Sequence, residues 1–169
     1  MTRAQAVDRV LLVARTQRHL TECPPNSNRG LKVQDYLAAV HLAPGQPWCA
    51  AWVNWCGLEA LGREWPVPLA GGCETLYRWA VAQEVWRPTP TTGAIFLQWR
   101  EWTTANGGHH ARYAHTGFVL MREPDGRWAT LEGNTSGGGS REGWGVFPQR
   151  RAWGPKDGFV YWWELLTEG

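Results

Sequence analysis

The texture of the chain changes once, near Pro88, and that change bounds the fold. Ahead of it apolar residues recur at helical spacing; beyond it they come in short β-type runs separated by glycine-rich turns. Helices gathered first and strands afterwards argue against the strand–helix alternation of a parallel sheet. They predict an α+β chain with N-terminal helices packed on an antiparallel β-sheet. The 169 residues, 43% hydrophobic and 19% charged, suit one domain over 1–169 with a full core of its own.

Element by element, Thr2-x-x-Gln5 predicts a capping box opening a first helix, with Ala4, Val7, Leu11 and Ala14 as its buried stripe. Cys23 to Gly30, with two prolines, is a break. A second helix turns Val33, Tyr36, Leu37 and Val40 inward until Pro44-Gly45. Pro47 suits the first position of a third helix, and Gly62 its left-handed end. A fourth runs from about Glu74 to Glu84. Strands are expected at 94–97, 115–120, 128–132, 145–147 and 158–162, the second and third joined through Glu123-Pro124-Asp125-Gly126 as a hairpin. Arg100 to Tyr113, holding Gly107-Gly108-His109-His110, and Ser136 to Ser140 read as loops.

Composition excludes several functions. A net charge of +2 is too small to argue for nucleic acid, though it would not hinder work on an anionic polymer. No apolar run reaches the length of a membrane span. Arg3, Asp8, Arg9, Arg15 and Arg18 are spread through the first helix, so no signal peptide is expected and the chain would be made in the cytoplasm. Cys23, Cys49, Cys56 and Cys73 show no paired zinc-type spacing; Cys23, Cys56 and Cys73 are expected to be reduced and structural. Most of the thirteen tryptophans are expected in the core.

The chemistry concentrates in Pro47-Trp48-Cys49-Ala50-Ala51-Trp52. A thiol at a helix start faces first-turn N–H groups that favour the thiolate, the nucleophilic form. Such a nucleophile needs a base and a group to orient that base. His115 opens a strand, and Glu132 and Asn134 end the next, on one face if the strand is regular. Cysteine on a helix followed by histidine and a polar orienter on a sheet is the papain-like order.

Gly45-Gln46-Pro47-Trp48-Cys49-Ala50-Ala51-Trp52-Val53 resembles the nucleophile segment of the CHAP family, the cysteine, histidine-dependent amidohydrolases and peptidases. Ala114-His115-Thr116-Gly117-Phe118-Val119 resembles its histidine strand, and Thr130-Leu131-Glu132-Gly133-Asn134-Thr135 its E-G-N segment. The stretches Asn26 to Tyr36 and Arg141 to Val146 are similar to further parts of phage and bacterial members. The resemblance implies a papain-like (CHAP/NlpC-type) fold and cleavage of amide bonds in bacterial peptidoglycan. Cys49 would be the nucleophile, His115 the base and later the acid, and Glu132 the orienter, with Asn134 as helper or alternative. Gln46 is the candidate second oxyanion donor beside the Cys49 N–H, and Trp48 would line the substrate groove. No cofactor is expected. His41-Leu42-Ala43-Pro44-Gly45 lacks the carboxylates with which some members bind calcium, and His109, His110 and His115 lack a fourth ligand for zinc, so no metal is expected. A phage lysis enzyme, a virion component among tail proteins, or an injected antibacterial effector with an immunity protein would each fit. The rival readings are a noncatalytic wall-binding or virion module, and a cytosolic thiol amidase acting on small peptides.

Overall fold

The computed structural model describes residues 1–137 and 143–167. Within them lie four helices, α1 (Arg3–Thr16), α2 (Leu31–Ala39), α3 (Cys49–Leu61) and α4 (Cys73–Ala82). Six strands follow: β1 (Trp86–Arg87), β2 (Ile95–Thr103), β3 (His109–Arg122), β4 (Trp128–Thr135), β5 (Gly145–Arg151) and β6 (Gly158–Val160). They form one antiparallel sheet in the order β1-β6-β2-β3-β4-β5. The α+β expectation therefore holds in its coarse form.

The capping box at Thr2 and Gln5 is present, each side chain bonding the other's backbone N–H. The stripe of α1 is rotated from the expected one: Leu11 and Ala14 are buried, but Ala6 and Val10 complete the face, Val7 is half-covered and Ala4 is exposed. The α2 stripe is buried as expected, with Val40 just past the helix end. Helix α3 is buried almost all round, from Cys49 through Trp52, Val53 and Cys56 to Leu61, which makes it the central helix. It packs on α1 and α2 on one side and on β3 and β4 on the other.

Along β2 the side chains alternate. Ile95 and Leu97 enter the core shared with the helices, whereas Phe96 joins Ala94, Val119 and Phe159 in a second cluster edged by Trp128, Trp153 and Trp163. Trp48, Trp52 and Trp162 are fully buried, so tryptophan does serve mainly as core material here. The hairpin through Pro124-Asp125-Gly126 joins β3 to β4, with Gly126 at φ 86° and its N–H bonded to the Glu123 carbonyl at 3.0 Å.

Residues 100–113 are not a loop. They extend β2 and β3 into a long two-stranded arm, turned at Thr104–Gly108, in which Trp102 stacks on His110 with centroids 5.3 Å apart. The arm was hidden because it has no apolar face to alternate: ring stacking and the Glu101–Lys156 contact at 2.7 Å hold it instead. The chain from Tyr161 onward leaves the sheet for a 3-10 turn, Trp162–Leu165, and the short β1 had no sequence signal. The expected loop at Ser136–Ser140 and the Arg141–Val146 resemblance lie partly outside the described residues.

Two glycines let the layers approach. A Cβ on Gly133 would lie 2.8 Å from Trp52 Cβ and Cγ and 3.0 Å from Trp48, so β4 can pack on α3 only with hydrogen there. A Cβ on Gly117 would lie 2.6 Å from the Leu131 carbonyl and 3.0 Å from Glu132 Cγ. Gly133→Ala is expected to destabilise the chain by about 1–3 kcal/mol through overpacking. Urea unfolding reads this as a lowered midpoint at constant slope; an unchanged midpoint would contradict the packing described.

Candidate active site

Cys49 is the first residue of α3, and Trp48, not Pro47, takes the N-cap position. Pro47 lies one residue outside the helix, so the sulfur sits nearer the helix start than the sequence pattern indicated. What holds Trp48 is a buried carboxylate: Glu22 Oε1 accepts from Trp48 Nε1 at 2.8 Å, while Glu22 Oε2 accepts from the N–H groups of Ser27 and Asn28 at 2.7 and 3.0 Å. The lead-in loop is thereby tied to the residue preceding the thiol. Trp48 also stacks on Tyr36 at 5.6 Å and is fully buried. The expectation that it lines the groove is corrected: its ring is spent on positioning α3.

The histidine comes from β3. The β2–β3 ladder shifts register beside it, Gln98 pairing with His115 and Trp99 with Tyr113, so that Ala114 is the extra residue. His115 was expected to open a strand but lies inside β3, and a bulge of this kind re-aims a side chain within a strand. His115 is fully buried, and its Nε2 lies 2.7 Å from Glu132 Oε2 on β4. The other ring nitrogen, Nδ1, makes no well-formed hydrogen bond among the described residues, and Cys49 is the group whose ionisation the ring influences. Catalytic hydrogen bonds are commonly loose before substrate binds.

Glu132 is fully buried and surrounded by donors. Besides His115 it receives Thr130 Oγ1 at 2.6 Å, and Arg151 grips both oxygens, Nε to Oε1 at 2.8 Å and the terminal nitrogen to Oε2 at 2.5 Å. Arg151, at the end of β5, is the contributor that the sequence reading missed; Gln149-Arg150-Arg151 carried no motif, and the ladder pairs Arg151 with Trp128, so its side chain reaches Glu132 along the sheet. Asn134 is not the partner of the ring. The ladder breaks between Glu132 and Thr135, Asn134 sits at φ 54°, and so strict alternation does not carry over from Glu132 to Asn134. Its Oδ1 is buried with no hydrogen-bond partner among the described residues.

The electrostatics form one chain of opposite charges. Burial favours a neutral Glu132, yet Arg151 and His115 overcome it and hold the carboxyl at about 2. Burial likewise disfavours the imidazolium, but the Cys49 sulfur and Glu132 push His115 up to about 9. Cys49 is held well below the ordinary thiol range, first by a hydrogen bond from Cys73 and then by His115, against the opposing effect of burial. These directions favour the ionised forms along the chain, a thiolate beside an imidazolium, backed by a carboxylate and a guanidinium.

A pocket of about 330 Å³ opens onto the sulfur, lined among others by Gln46, Cys49, Cys73, Glu74, Arg112 and Tyr113. Gln46 thus shares the pocket with Cys49, the position expected of it as an oxyanion donor. Cys73, the first residue of α4, was expected to be reduced and structural; it is a free thiol, and it shares this pocket. Cys23 is exposed, and Cys56 is buried two turns along α3 with its thiol pushed up by desolvation. No group of three or more His, Cys, Asp or Glu among the described residues is placed to hold a metal ion. His110 is on the arm, stacked on Trp102, and His115 is committed to Glu132. No helix among the described residues is long and apolar enough to cross a membrane.

Two outcomes test this electrostatic chain. In wild type, iodoacetamide is expected to alkylate Cys49 already near pH 6, and His115→Ala is expected to move that profile upward by about one unit or more. Superimposed profiles from site-resolved mass spectrometry would sever His115 from the thiol. For Glu132 the folded value lies below the unfolded one, so its stabilisation is complete above about pH 4.3 and lost as pH falls toward 2. Arg151→Ala is expected to cost about 3–5 kcal/mol at pH 6. The deficit should shrink by pH 3 in urea titrations; a pH-independent deficit would mean that Arg151 acts by packing alone. No family model, curated protein or solved structure significantly matches this chain, which leaves the residues and their geometry as the guide to its chemistry.

Proposed function

We propose that this chain is a cysteine-dependent amidohydrolase or peptidase of papain-like construction that cleaves amide bonds of bacterial peptidoglycan. The observation that supports the chemical part is Cys49 lining a solvent-open pocket, its ionisation influenced by a buried His115 that is bonded to Glu132, with Arg151 on the same carboxylate. The wall polymer as substrate rests on the motif resemblance to the CHAP family, as does action as a phage lysis enzyme, virion component or injected effector.

In this mechanism the Cys49 thiolate attacks the amide carbonyl, and the sulfur–carbon bond forms as the carbonyl electrons move to oxygen. In this reading the Cys49 backbone N–H at the start of α3 donates to the developing oxyanion, and Gln46, which lines the same pocket, supplies the second donor. The imidazolium gives its proton to the departing amine as the carbon–nitrogen bond breaks. His115 then takes a proton from water, whose oxygen displaces the sulfur and releases the acid. Glu132 holds Nε2 throughout, keeping Nδ1 as the nitrogen that exchanges protons with sulfur and substrate. Cys49, His115 and Glu132 together are what favour the enzyme over the noncatalytic alternative, because a scaffold has no need of all three.

One feature favours a second substrate class. The pocket is open but contains no tryptophan, and its size is that of a small-ligand site, which suits a short peptide amide held from one side. Digestion of purified peptidoglycan with wild type beside Cys49→Ala separates these readings. Cys49-dependent muropeptides are expected, and their masses distinguish amidase from endopeptidase cuts. Intact walls of several cross-link types, together with Cys49-dependent turnover of small peptide amides, would move the assignment to the small-substrate thiol amidase. Gln46→Ala is expected to lower kcat by about 100-fold or more with the fold unchanged; equal kcat would remove Gln46 from the oxyanion site.

A further inference from the structure

The pocket holds two sulfurs. Cys49 and Cys73 are the first residues of α3 and α4, both line the same cavity, and each is almost entirely covered except where that cavity opens. Each thiol's ionisation is shifted most by the other, and they divide the work of a redox pair. Cys49 carries the thiolate, while Cys73 is pushed well up by the Cys49 sulfur and by burial and remains a thiol. The placement of Cys73 is built in. Asn54 in the middle of α3 donates to the Ala70 carbonyl at 3.1 Å and accepts from Trp65 Nε1 at 2.9 Å, fastening both ends of the loop that delivers α4 to the pocket. Cys56 and Cys23 do not line this cavity.

We propose that Cys49 and Cys73 form a reversible peroxide-sensitive disulfide site, with Cys49 the oxidised sulfur and Cys73 the resolving thiol. The Cys49 thiolate attacks one oxygen of hydrogen peroxide; the O–O bond breaks and leaves sulfenic acid at Cys49 and hydroxide, which takes a proton to become water. Cys73 then loses its proton and attacks the Cys49 sulfur, forming the S–S bond and expelling the sulfenic oxygen as a second water. The sulfurs together are oxidised by two electrons and the peroxide is reduced by two. A dithiol reverses the step by thiol–disulfide exchange, giving back both thiols and leaving itself oxidised. The bond removes the proposed nucleophile and ties the starts of α3 and α4 across the pocket, so peroxide switches the site off without destroying it. That consequence rests on Cys49 being the nucleophile of the proposed hydrolase; the disulfide itself does not.

The test uses the full chain, reduced, freed of reductant and exposed to hydrogen peroxide near neutral pH. Thiols are then blocked and the unreduced digest is read by mass spectrometry. A Cys49–Cys73 cross-linked peptide is expected, with free Cys49 falling by roughly tenfold or more and returning after dithiothreitol. In Cys73→Ser and Cys73→Ala, checked for folding by circular dichroism, dimedone is expected to trap sulfenic acid at Cys49. Longer exposure should then give sulfinic acid that dithiothreitol does not rescue. Oxidation of wild-type Cys49 to sulfinic acid with no link to Cys73, or a link to Cys23 or Cys56 instead, would overturn the proposal even if neither variant folds. Wall digestion run in parallel keeps the two readings apart. A Cys49–Cys73 link in a protein that cuts no peptidoglycan supports the redox pair and counts against the wall-hydrolase reading alone.

Discussion

A carboxylate buried beyond the reach of water is the constraint on which this site depends. Glu132 has no exposed surface, and an unpaired charge there would be strongly destabilising. It stays ionised because three donors from three strands converge on it: Thr130 beside it on β4, His115 from β3 and Arg151 from β5. The same arrangement settles the histidine. With Nε2 committed to Glu132, Nδ1 is the ring nitrogen left for other contacts.

The other half of the site is a matter of where helices begin. Both sulfurs stand at first helical positions, and neither helix has a side-chain cap of its own. Other contacts do the positioning. Glu22 holds Trp48 and with it the entry to α3, and Asn54 holds the loop ahead of α4. The missing side chain of Gly133 lets β4 close on Trp52, bringing the sheet to the thiol. Buried polar groups and one absent methyl decide the position of the reactive atoms, while the apolar core supplies bulk.

Much of the architecture was legible because it is written in local periodicity. The capping box at Thr2, the buried face of α2 and the Pro124-Asp125-Gly126 hairpin stand where pattern and turn chemistry put them. That His115 meets either Glu132 or Asn134 was legible as well, since a short hairpin allows few registers; the choice of Glu132 came from the motif resemblance and is the one the structure pairs with the ring. Patterns failed where a non-local contact outweighed a local one. The arm of β2 and β3 has no buried face to betray it, and Asn134 leaves strict alternation at a break in the β4–β5 ladder. Trp48 seemed available to a ligand only because the sequence does not reveal that Glu22 and Tyr36 are waiting for it.

By itself, then, the sequence determined the α+β order of elements and the residues able to serve as thiol, base and acid, because helix and strand periods and side-chain chemistry are local properties. Tertiary structure alone decided that Arg151 clamps Glu132, that Cys73 shares a pocket with Cys49 and that Trp48 is withdrawn from the surface. Each of these contacts joins residues distant along the chain, and their encounter depends on strand register and helix packing, which no single stretch of sequence encodes.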